Sequence, residues 1–64
     1  MRNKKVYYIE SYATWYLVKA NNIRMAKSDG VREFGRGMVK IVREASKAEI
    51  EYFIHLKGEI GEAG

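Results

Sequence analysis

At 64 residues the chain has room for one domain, and a domain of that size buries only about 60% of the surface its unfolded form exposes. It contains no cysteine and a single histidine, His55, which excludes disulfide staples and an internal zinc site of the usual about four N or S ligands. The net charge of +4 is uneven: residues 1–18 carry +2, residues 19–43 carry +5 and residues 44–64 carry −3, so a basic body precedes an acidic C-terminal segment.

Val6-Tyr7-Tyr8-Ile9-Glu10 and Thr14-Trp15-Tyr16-Leu17-Val18-Lys19-Ala20 are rich in aromatic and β-branched residues. Ser11-Tyr12-Ala13 is short enough to join them as an antiparallel hairpin. Asn21 or Asn22 then caps a first helix that runs to about Phe34. Its sheet-facing stripe is Ala26, Gly30 and Phe34, each four residues apart. Gly30 costs about 1 kcal/mol of helix propensity relative to alanine, which close packing on a strand offsets.

Gly35-Arg36-Gly37 breaks the helical pattern, and Met38-Val39-Lys40-Ile41-Val42-Arg43 reads as a third strand. The run Ser46-Lys47-Ala48-Glu49 is a capping box. The Ser46 hydroxyl accepts from the Glu49 N–H, and the Glu49 carboxylate accepts from the Ser46 N–H. It starts a helix over Lys47–Lys57 with Ile50, Phe53 and Ile54 on one stripe, and Gly58 stops it.

These elements predict an α+β domain of ββαβα order over residues 1–58: a three-stranded, mainly antiparallel sheet in the order 2-1-3, packed with two helices. Residues 59–64, with two glycines and no apolar periodicity, read as a flexible C-terminal tail. Alternation gives both strand faces apolar residues. Tyr16, Val18 and Ala20 oppose Trp15 and Leu17, and Val39 and Ile41 oppose Met38 and Val42. Either the helices cover opposite faces or one face is left for a second copy or a partner.

No apolar run approaches the roughly 20 residues needed to span a bilayer, and the basic start is followed by tyrosines and Glu10, so no membrane association is expected and a cytoplasmic location is. His55, with Glu51 one turn before it, is the sole candidate general base. No nucleophile elbow, cysteine nucleophile or spaced acidic pair accompanies it, and the chain is read as a non-enzyme with no cofactor and no metal. Gly35-Arg36-Gly37 lacks the strand-to-helix context of a nucleotide fingerprint and reads as a loop.

Binding offers more. Lys27, Arg32, Arg36 and Lys40 suit a polyanion or an acidic protein surface, and Tyr12 and Trp15 suit base stacking or a protein interface. Arg24 and Lys27 lie away from the Ala26 stripe, and Arg32 and Arg36 are expected to extend them as a cationic ridge from the first helix toward the loop after it.

The pattern Tyr16-Leu17-Val18-Lys19-Ala20, then Ala26, then Val42-Arg43-x-Ala45-Ser46-x-x-Glu49-Ile50 resembles small open reading frames of bacteriophages and other mobile elements. Some products of such loci are anti-CRISPR inhibitors or other antagonists of host defence. The resemblance implies an accessory protein that binds and modulates a host protein or ribonucleoprotein complex, and it carries over no functional residue. A small basic nucleic-acid-binding regulator is the alternative, and both a homodimer and nucleic acid stay open as partners.

Overall fold

The computed structural model describes residues 4–63; Met1, Arg2, Asn3 and Gly64 lie outside that range. Strands β1 (Lys5–Ser11) and β2 (Trp15–Ala20) form the expected hairpin, with Tyr7 opposite Val18 and Ile9 opposite Tyr16. The turn needs neither glycine nor proline because the buried Ser11 closes it. Its hydroxyl accepts from the N–H of Ala13 and of Thr14, and donates to the Thr14 carbonyl at 3.0 Å. Such local side-chain bonds substitute for backbone turn geometry.

Helix α1 (Ile23–Phe34) is capped by Asn22, whose side chain accepts from the Met25 N–H at 2.9 Å. Ala26 and Gly30 are its buried residues. A Cβ on Gly30 would lie 2.8 Å from Cγ2 of Ile9, so the glycine lets helix and strand approach closely. Strand β3 (Val39–Glu44) runs antiparallel to β1. Helix α2 (Lys47–Lys57) carries the full capping box between Ser46 and Glu49.

The fold is α+β with two helices, but the sheet has four strands and is mixed. Among the described residues its order is β3-β1-β2-β4. The added strand, β4 (Gly61–Glu62), pairs parallel to β2 at Val18 and Lys19. The expectation of a flexible tail over residues 59–64 is thereby corrected as far as Ala63. Ile60 and Ala63 are buried, and the Ala63 N–H donates to the Lys19 carbonyl at 2.8 Å. Two isolated apolar residues are enough to seat a segment when each meets an existing core.

The helices cover opposite faces. One cluster joins Ala26 of α1 to Tyr7, Ile9, Val18 and Ala20; the other joins Phe53 of α2 to Leu17 and Ile60, with Tyr8 and Trp15 packed against it. Strand β3 departs from simple alternation. Its register shifts where it passes Glu10 and Ser11, and the extra residue brings Val39 and Val42 together on the α1 side instead of on opposite faces. No helix among the described residues is long and apolar enough to cross a membrane.

Candidate binding surface

Helix α1 lies over the sheet with one flank toward β3. On that flank Ile23 and Lys27 are one turn apart and Arg24 stands beside them. With Val39, Lys40 and Val42 they line a groove of about 470 Å³. The floor is aliphatic, all three charged residues in the lining are cations, and no carboxylate lines it. Ile23 is 52% exposed despite its size. Arg24 and Lys27 enter no ion pair among the described residues.

Lys40 extends this surface around the end of the sheet. Its ammonium lies 3.7 Å from a Glu10 carboxylate oxygen and 5.9 Å from the centre of the Tyr12 ring, within reach of a weak cation–π attraction. Tyr12, 69% exposed at the hairpin turn, shares a shallow concavity of about 210 Å³ with Tyr8 and Trp15. Lys27 and Lys40 therefore line one groove and Tyr12 and Trp15 another concavity, linked by the contact of Lys40 with Tyr12.

Trp15 has a second occupation. Its ring stacks between Tyr8, at 5.4 Å, and Tyr52 of α2, at 6.3 Å, and meets Phe53 at 5.8 Å. Much of its face holds α2 against the sheet. Arg43 sits 4.2 Å over Tyr8 and grips Glu49 through two bonds of 2.9 and 2.6 Å. That guanidinium, together with the Ser46 N–H, pulls the Glu49 carboxyl down to about 2. The Tyr8 hydroxyl, donating to Glu10, is pushed above its ordinary range by that acceptor and by desolvation.

The expected cationic ridge does not form as one unit. At 3.6 residues per turn Arg32 lies about 140° around the helix from Lys27, and it bonds Asp29 at 2.9 Å. Asp29 also accepts from the Tyr16 hydroxyl, which burial first and that bond second push well above the ordinary tyrosine range. Arg32 thus belongs to a network on the β2 side. Arg36 is exposed in the turn between α1 and β3, near the hairpin end, since Val39 opens β3 opposite Ser11. His55 is exposed on α2, across the sheet from the groove.

Ile23, Val39 and Val42 were not among the sequence-level candidates. The available signal was Lys27 four residues after Ile23 and three after Arg24, spacings at which helix side chains are neighbours. Comparison with protein-family models, curated proteins and solved structures found no match for this chain.

Proposed function

We propose that this protein is a non-enzymatic binding module, an accessory protein of bacteriophage or mobile-element type that binds and modulates a host protein or ribonucleoprotein complex in the cytoplasm. The observation that carries the reading is the α1–β3 groove. Apolar Ile23, Val39 and Val42 line it together with Arg24, Lys27 and Lys40, and cations at an open apolar surface steer and orient an acidic partner. His55, the one candidate for catalysis, stands on the other face.

The same cations and the exposed Tyr12 ring favour a second reading, a nucleic-acid-binding regulator. Capture from a bacterial host lysate separates the two. Wild-type protein is expected to retain nuclease-resistant partner proteins that an R24E/K27E variant loses. Partners lost on nuclease treatment, together with an oligonucleotide mobility shift that collapses as salt rises, would instead give the regulator. Light scattering at micromolar concentration tests the homodimer.

A further inference from the structure

We propose that the groove and the open edge of β3 form one site, which takes an extended segment of a partner protein, rich in acidic and apolar side chains, as an additional strand. This rests on the binding-module reading and specifies its partner. The order β3-β1-β2-β4 leaves β3 with a neighbour on one side only among the described residues. The Ala45 N–H donates to the Val6 carbonyl at 2.9 Å, so Ala45 faces β1. By antiparallel alternation Arg43 faces β1 as well, and Val42 and Glu44 turn their backbone groups outward. The Glu44 carbonyl already accepts from the Arg43 guanidinium at 3.1 Å. What is left for an incoming chain is the N–H and carbonyl of Val42 and the N–H of Glu44.

A strand laid there sends alternate side chains to the two faces of the sheet. Those on the α1 side enter the groove, over Val39 and Val42 and beside Ile23, with Arg24 and Lys27 at its mouth. Lys40, at the register shift, borders both faces. Backbone pairing with an edge strand plus a helix-flanked pocket for alternate side chains is a general mode of peptide recognition.

Charge decides the occupant. A second copy paired across Val42 would set its own Arg24 and Lys27 against these, cation on cation, whereas an acidic segment meets Arg24 and Lys27 without an ion-pair partner among the described residues, Lys40 being held by Glu10 and the Glu44 carboxylate by Lys5. The register shift and Lys40 also disrupt the regular edge that indiscriminate self-pairing needs.

The test is a ¹⁵N NMR titration of the whole protein with an acetylated, amidated hexapeptide whose first, third and fifth positions are glutamate, valine and glutamate, with threonine between, so that both side-chain types face the groove. The comparison ligands are the same peptide with lysine for glutamate, an N-methylated version and a short thymidine oligonucleotide. The glutamate peptide is expected to shift the amides of Val39–Glu44 and Ile23–Lys27 and to slow exchange of the Val42 and Glu44 N–H. R24E/K27E is expected to weaken it about tenfold or more, since reversing paired charges replaces attraction by repulsion. N-methylation is expected to abolish binding.

The proposal is overturned by absence of shifts at millimolar peptide, by shifts confined to the hairpin turn or α2, by equal binding of the lysine or N-methylated peptide, by binding of the oligonucleotide alone, or by self-association through β3. Should the peptide fail while R24E/K27E still loses nuclease-resistant partners in the capture, strand addition is wrong and the binding module stands. Failure of both removes the module as well.

Discussion

The two edges of the sheet receive opposite treatment. At the β2 edge the chain covers itself: Gly61–Glu62 pair with Val18 and Lys19, Ile60 and Ala63 are buried, and Lys4 holds Glu62 at 2.6 Å. The groove beside it, about 480 Å³, is lined by Asp29, Glu33, Glu59 and Glu62 with Lys57 as its one cation. At the β3 edge no segment among the described residues covers the strand, and the groove is cationic. A net charge of +4 averages an acidic, self-closed side with a basic, open one. The summed charge therefore says little about what either edge attracts; the local field does.

Removing the closure has the largest expected effect. I60A takes a buried side chain from the cluster with Leu17 and Phe53 and is expected to cost about 2 kcal/mol in urea denaturation. It is also expected to promote concentration-dependent association in light scattering, because β2 then presents an open edge as well. Unchanged stability would mean that β4 contributes little to closing that side.

The next effect concerns α1, which shapes both grooves. G30A gains about 1 kcal/mol of helix propensity, but its Cβ meets the buried Ile9 at 2.8 Å, and overpacking of that kind costs about 1–3 kcal/mol. A net loss of about 1 kcal/mol in the same assay is expected, and a gain would show that the helix shifts freely on the sheet.

Acid sharpens the α2 side. The Glu49 carboxyl, ordinarily near 4.5, is pulled down to about 2 in the folded chain by Arg43 and the Ser46 N–H. A lowered folded value gives stability that is present above 4.5 and lost as pH falls from there through about 2. Urea midpoints of wild type and E49Q are therefore expected to differ most at neutral pH and to converge near pH 2. A constant gap would assign the loss to packing.

The smallest effect is the most discriminating. R24E/K27E is expected to change stability by no more than about 0.5 kcal/mol, as exposed surface substitutions do, so any loss of binding comes from the groove and not from unfolding.

Much of this architecture was legible in local sequence. The capping box fixed α2 at Lys47–Lys57 because both of its hydrogen bonds join residues three apart. Ala26, Gly30 and Phe34 revealed the sheet-facing stripe of α1 because helical spacing alone puts them on one side. Aromatic and β-branched runs revealed the hairpin. The candidate surface was partly legible: Lys27 and Lys40 line one groove, but Tyr12 and Trp15 line a separate concavity and Arg32 is drawn to Asp29 beside Tyr16. That partnership depends on how α1 is rotated over β2. Strand β4 left no periodic signal, since only Ile60 and Ala63 anchor it.

Strands β1, β2 and β3, both helices, their order, their caps and the division into basic and acidic segments follow from contacts a few residues apart or from composition, and so could be read from the chain alone. That the C-terminal segment closes the β2 edge, that Val39 and Val42 share a face, and that Arg24 and Lys27 line a groove beside an open strand could not be read there. Those outcomes rest on pairing register and helix rotation, which are set by contacts between residues distant in the chain.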